Sequence, residues 1–269
     1  MEVNKIYDEN CLDTMSKMPD GFVDLTVTSP PYDNLRKYNG YTFDFEAVAK
    51  ELFRVTKQGG VVVWVVGDAT VKGSETGTSF KQALYFKEIG FNLHDTMIWN
   101  KGGFSAVGAL KVRYAPVFEY MFVLSKGRLL TFNPIKDRKT KNGGKKASGT
   151  IRQKDGTTKP MSKVMVINEY GQRYNIWEQS PQRQSGECHP APFPEKLAND
   201  HILSWSNYGD LVYDPFMGSG TTAKMAILNK RNYIGSEISK EYCEIAEKRI
   251  YKITEANEKL VEELEDAKD

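Results

Sequence analysis

Four consecutive residues, Ser29, Pro30, Pro31 and Tyr32, follow directly on the apolar run FVDLTVT at 22–28. Pro31 forces Pro30 into an extended conformation and both rings fix φ, so the segment continues as neither sheet nor helix. Neither proline has an N–H. The Pro30 carbonyl is therefore presented by a rigid backbone beside the Ser29 hydroxyl, and the two make a pair of hydrogen-bond acceptors. Such a pair suits an amino group whose lone pair is delocalised into a nucleic-acid base. Gripping its hydrogens draws the nitrogen toward tetrahedral geometry and frees the lone pair for attack. Tyr32 adds a flat face on which a base can stack. The same residues also read as an ordinary proline turn at a strand end, or as an exposed polyproline ligand.

A second constellation lies at DPFMGSGTT, 214–222. It follows a strand-like run and opens a helix-like one, where a βαβ nucleotide fold needs a glycine turn. Gly218 and Gly220 admit backbone angles closed to other residues and let a ligand approach the main chain; Thr221 and Thr222 can cap the helix that follows. The spacing is not GxGxxG, and no Lys follows the glycines as in a phosphate-binding loop. Glu237 ends the next strand, 17 residues beyond Gly220, where a carboxylate suits the two hydroxyls of an adenosine ribose. Asp214 places a negative charge at the mouth of the turn, which disfavours a pyrophosphate and pairs with an ammonium group. That combination points to S-adenosylmethionine rather than to NAD.

The elements that must position these residues follow from apolar spacing. FVDLTVT reads as a strand, 43–60 as an amphipathic helix ended by Gly59 and Gly60, and VVVWVVGD at 61–68 as a strand buried on both faces. A helix is predicted at 79–89, strands at 91–101 and 118–127, then strand 211–213, helix 221–230 and strand 233–237, with a helical tail whose acidic end frays. Helices alternating with buried strands imply parallel crossovers and a three-layer α/β fold. Residues 136–163 break the pattern: ten Lys or Arg, two Asp and no aromatic residue. They read as a flexible surface loop or as a DNA-facing insertion.

Composition sets the outer limits. The 269 residues suit one substantial α/β domain with insertions, 40% hydrophobic content supplies a core, and the formal charge of +2 does not announce a polyanion partner. Cys11, Cys188 and Cys243 are odd in number and far apart, which argues against a disulfide framework; no His or Cys cluster suggests a metal site. A polar, acidic start and the lack of a long apolar run fit a soluble protein of the cytoplasm.

Through these residues the sequence resembles the amino-methylating DNA methyltransferases of bacteria and their phages, which methylate cytosine N4 or adenine N6 with S-adenosylmethionine. TSPPY looks like their catalytic motif and DPFMGSGTT like their cofactor loop, while MIWNK, FEYMFVLSKG and HPAPFPEKLANDHI are similar to further family segments. The resemblance covers most of the chain. It implies a Rossmann-like S-adenosylmethionine-dependent methyltransferase fold with the circularly permuted motif order of the β class. In that order residues 1–127 and 186–269 form the catalytic domain, and 128–185 form the basic insertion that reads duplex DNA. By the same resemblance Ser29, Pro30, Pro31 and Tyr32 hold and stack a flipped base. Asp214, Phe216, Gly218, Ser219, Gly220 and Thr221 line the cofactor pocket, and Glu237 takes the ribose. Phe193 approaches the methionine part, and Asn10 with Cys11 falls where a family Asp meets the adenine. His189 reads as a candidate base or, flanked by proline, as a structural histidine.

Ser at the first catalytic position, with HPAPFP later, resembles the N4-cytosine enzymes; N6-adenine is the alternative. Carbon methylation needs a nucleophilic cysteine, and none of the three follows a proline as in that class. The family resemblance admits a homodimer and a cognate restriction endonuclease as partners. An RNA or protein methyltransferase and a non-enzymatic DNA-binding module are the rival readings.

Overall fold

The computed structural model describes residues 1–31, 44–103, 111–147, 149–161, 164–181 and 194–266. They divide into two units, 1–133 with 176–269, and 134–175.

The larger unit is built on an eight-stranded sheet. In chain order the strands of this sheet and the helices of the unit are β1 (Lys5–Asp8), α1 (Cys11–Ser16), β2 (Val23–Thr28), α2 (Phe45–Val55), β3 (Thr56–Val66), α3 (Thr78–Glu88), β4 (Asn92–Asn100), β5 (Phe118–Ser125), β6 (Ile176–Glu178), α4 (Glu195–Trp205), β7 (Leu211–Asp214), α5 (Thr221–Leu228), β8 (Asn232–Glu237) and α6 (Lys240–Asp266). The strand order is β1-β8-β7-β2-β3-β5-β4-β6. Neighbours run parallel throughout, except that β5 runs against both β3 and β4. The expected mostly parallel α/β sheet is what forms, with one reversed strand.

The alternation of β3 explains the three layers. Val61, Val63 and Val65 point to one face, where Leu197, Ile202, Ala223, Ala246 and Ile250 of α4, α5 and α6 cover them. Val62, Trp64 and Val66 point to the other, covered by Met15, Val48, Leu52 and Phe86 of α1, α2 and α3. Both faces being dry, the strand reads as a continuous apolar run.

Two expectations change. Gly59 and Gly60 do not end the preceding helix. It stops at Val55, where Thr56 turns extended, and both glycines lie inside β3. A Cβ on Gly60 would stand 2.9 Å from the Asp24 carbonyl oxygen, and the β2–β3 register shifts between Val23 and Leu25. The glycines thus accommodate a bulge, a role that looks like a helix stop when only composition is read.

The basic stretch is not a bare loop either. Within 134–175, Arg138–Lys139 pairs with Tyr170–Gly171, Lys146–Ala147 with Met165–Val166, and Thr150–Arg152 with Thr158–Pro160, all antiparallel. The nested pairs make one folded-back ribbon closed by a turn at 153–157, in which Asp155 accepts from the Thr157 N–H at 3.0 Å. The unit is shorter than the 128–185 read from sequence: 128–133 and 176–181 cluster with the larger unit, and β6 pairs in its sheet. No helix among the described residues is long and apolar enough to cross a membrane.

Candidate active site

Parallel strands align their carboxyl ends, and several of the described sequence-predicted residues lie along that edge. Asp8 at the end of β1 is in register with Glu237 at the end of β8, and Asp214 at the end of β7 is in register with Gly235. Thr28 ends the neighbouring β2 and leads into Ser29, Pro30 and Pro31. From β7 the chain crosses through α5 to β8 on one side; from β2 it crosses through α2 to β3 on the other. The gap between β7 and β2 is therefore the point where strand order reverses, the place where open α/β sheets bind ligands. The paired ladder between these two strands stops at Tyr213 opposite Thr26, and beyond it Thr28 and Asp214 are joined through their side chains.

The glycine loop is held from three directions. Gly218 and Gly220 have φ of 52° and 80°, left-handed values that glycine adopts without strain. The Gly218 N–H donates to Glu237 at 2.8 Å, and the Ser239 N–H donates to the other oxygen of that carboxylate at 2.9 Å. A Cβ on Gly220 would lie 3.0 Å from the Ala246 Cβ of α6, so the helix closes over the loop. From α6, Arg249 donates to the Ser219 carbonyl at 2.9 Å and lies 3.3 Å from the hydroxyl oxygens of Ser219 and Thr221. Its other nitrogen pairs with Glu195, which Lys224 also reaches at 2.7 Å. Ser219 and Thr221 are buried, with their hydroxyls against Arg249.

Asp214 sits deeper than a charge at the mouth of a turn. It is 1% exposed. One carboxylate oxygen accepts from the Thr28 hydroxyl at 2.7 Å and the Phe216 N–H at 3.0 Å; the other accepts from the Thr222 hydroxyl at 2.7 Å. Burial raises its pKa to about 6 despite these three donors, and the nearby Glu237 adds to the rise. Burial likewise raises the pKa of Glu237, with the backbone N–H groups opposing.

Ser29 is partly exposed beside a buried Pro30. Asn10 caps α1 by accepting from the Leu12 N–H at 2.9 Å. Cys11 is buried, and desolvation pushes its thiol up to about 12; Cys243 is pushed equally far, so both stay protonated and neither is an activated nucleophile. Phe216 is half-buried against Trp64, with ring centroids 6.3 Å apart. Tyr32, Cys188, His189 and Phe193 lie outside the described residues. Among the described residues no group of His, Cys, Asp or Glu could hold a metal ion.

Sequence reasoning missed Thr28 and Arg249. A threonine closing a strand looks like β-propensity alone, and an arginine in a charged helix looks like surface. Each gains its meaning from a partner on another element. The signal available in sequence was only that Thr28 adjoins Ser29.

A family model described as DNA methylase, of the N6 and N4 type, matches residues 23–248. The orphan methyltransferase M.BamHII of Bacillus amyloliquefaciens is 61% identical over 236 residues, which cover 85% of this chain and 88% of that protein. Among solved structures, the PvuII DNA methyltransferase (cytosine-N4-specific) aligns with a TM-score of 0.69 at 21% identity, over 95% of this chain and 91% of its own. TTHA0409 of Thermus thermophilus, solved in complex with S-adenosyl-L-methionine, aligns with a TM-score of 0.65 at 24% identity over 93% of each chain. These two likenesses show the fold.

Proposed function

We propose that this chain, which belongs to the N6/N4 DNA methylase family, transfers a methyl group from S-adenosylmethionine to the exocyclic N4 of a cytosine flipped out of duplex DNA. The observation that carries this reading is the meeting of two constellations at one switch point. The Ser29–Pro31 turn leaves β2 and the glycine loop leaves β7, and Asp214 bonds both sides of the gap.

The residues at the strand ends fit such a cofactor. Glu237 holds two backbone N–H groups and keeps acceptor capacity on a carboxylate with about four lone-pair sites, enough for the two hydroxyls of a ribose. Asn10 and Cys11, at the end of the adjacent β1, are where the adenine is expected. Phe216 lines the pocket, and Ser219, Gly220 and Thr221 offer main chain. Phe193 is assigned to the methionine part by family resemblance. When bound, S-adenosylmethionine supplies an electrophilic methyl group on a sulfonium centre.

The chain's own work is to hold the acceptor of that methyl. The Ser29 hydroxyl oxygen and the Pro30 carbonyl accept the hydrogens of the amine, and Tyr32 stacks on the base. Preorganised acceptors at the developing charge, with close placement of the donor, supply most of the rate. The buried, protonated state of Cys11 and Cys243 argues against carbon methylation through either of them. Ser29, together with HPAPFP, favours cytosine N4 within the family; adenine N6 uses the same fold and the same turn. The order of catalytic turn, basic unit and glycine loop is read as the permuted β class, with the basic ribbon of 134–175 contacting DNA phosphates and base edges.

The test is transfer of a tritiated methyl group from S-adenosylmethionine to duplex DNA, to RNA and to protein in parallel. Label in DNA supports the reading. Label in RNA or protein alone refutes it, and label in none returns the chain to a DNA-binding role.

A further inference from the structure

We propose that Thr28 is a positioning residue for methyl transfer: its hydroxyl, donated to Asp214 opposite the one donated by Thr222, fixes the catalytic turn relative to the cofactor loop. The proposal rests on the reading of Ser29–Pro31 as the turn that holds the target amine.

The β2–β7 ladder ends at Thr26 and Tyr213, so the strand pairing does not reach from Thr28 to the loop that opens at Asp214. The tie that exists is made by side chains. Thr28 and Thr222 are both fully buried, and each hydroxyl stands 2.7 Å from a different oxygen of the Asp214 carboxylate. The Thr222 hydroxyl also lies 3.2 Å from the Val27 carbonyl, which brings the first turn of α5 against the backbone of β2 one residue before Thr28. A chain of Ser29, Thr28, Asp214, Thr222 and α5 thus crosses the switch point through groups that water does not reach. An ionised Asp214 accepts from both threonines and from the Phe216 N–H. Protonated, it keeps fewer acceptor sites and the tie loosens.

A threonine that merely fills space is replaced without loss by its isostere valine. A positioning threonine is not, because the buried carboxylate then loses a donor and the Ser29 hydroxyl drifts from the amine. Displacements of about 1 Å in a reacting pair cost on the order of 100-fold in rate.

The experiment compares Thr28→Val and Thr28→Ser in the full-length protein, with steady-state methyl transfer to duplex DNA across pH. Thr28→Val is expected to lower kcat by about 10- to 100-fold while the KM values for S-adenosylmethionine and DNA change by less than about threefold. The acid limb of its kcat profile moves to higher pH, because Asp214 has lost a donor that favours its ionised form. Glu237 is the other carboxylate that acts on Asp214, so the limb belongs to the pair; the Cys11 thiol and the Tyr213 phenol, which also interact with it, are both raised and stay neutral in that range. Thr28→Ser restores both kcat and the limb. Unchanged kcat and an unmoved limb in Thr28→Val, with only a lower melting temperature, overturn the proposal. If circular dichroism shows that Thr28→Val does not fold, Thr222→Val removes the opposite donor and decides by the same criteria. Wild-type protein that transfers no methyl to DNA defeats the parent reading instead, and is recognised before any variant is compared.

Discussion

At the scale of single residues the proposed chemistry turns on two oxygen-bearing groups with opposite surroundings. Ser29 is partly open at the strand end, and in the proposed reaction its hydroxyl meets the target amine directly. Ser29→Ala therefore lowers kcat by about 100-fold, the usual loss on removing one preorganised hydrogen-bonding group, with S-adenosylmethionine binding unchanged by equilibrium dialysis. Asp214 is closed in, and its effect on stability follows from its pKa. Burial lifts the carboxyl from 3.8 to about 6, so between those values the folded chain holds a proton that the unfolded chain has released. Stability from this group is then lost as pH rises through that window, by about 3 kcal/mol in all at 1.36 kcal/mol per pKa unit. Asp214→Asn removes the titration. Its stability relative to wild type, measured by urea unfolding, improves by about 2–3 kcal/mol between pH 4 and pH 8, while methyl transfer falls. A difference that stays flat with pH contradicts the assignment.

At the scale of elements, the glycine loop and the helices around it do the positioning. Gly220 combines a left-handed backbone with a Cβ position 3.0 Å from the Ala246 Cβ. Gly220→Ala is expected to destabilise the fold by about 1–3 kcal/mol and to weaken S-adenosylmethionine binding, both measurable by thermal shift with and without the cofactor. Much of this element was legible in sequence, because a strand, a glycine turn, a helix and a second strand with an acidic end each leave a local mark. What was not legible depended on partners far along the chain. Arg249 is one α6 residue among many charges until Ser219 and Glu195 are seen beside it. Gly59 and Gly60 resembled a helix stop because a β-bulge has no periodicity of its own. The short β1 buries only Ile6 fully of its four residues, too little for a strand pattern. The paired ribbon, by contrast, did leave a sign: Asp155 and Gly156 form the dipeptide that favours hairpin turns, set among many lysines.

At the scale of the whole molecule, the near-neutral total charge conceals an uneven distribution. The sheet unit carries the two chemical constellations, and 134–175 carries a concentrated positive charge on a two-stranded ribbon, a shape that a major groove admits. Replacing the exposed Lys139, Lys141, Lys145 and Lys146 by Gln is expected to weaken duplex binding and to flatten its salt dependence by about 0.9 in log–log slope for each phosphate no longer neutralised. S-adenosylmethionine affinity stays as in wild type. An unchanged slope would remove the ribbon from the DNA interface and leave the sheet unit to bind alone. The most direct measurement for the central claim is nucleoside mass analysis of unmodified duplex DNA after incubation with the protein and S-adenosylmethionine. N4-methylcytosine is the expected product. N6-methyladenine in its place would contradict the cytosine assignment made from Ser29, and DNA without any methylated nucleoside would contradict amino-methylation of DNA by this chain altogether.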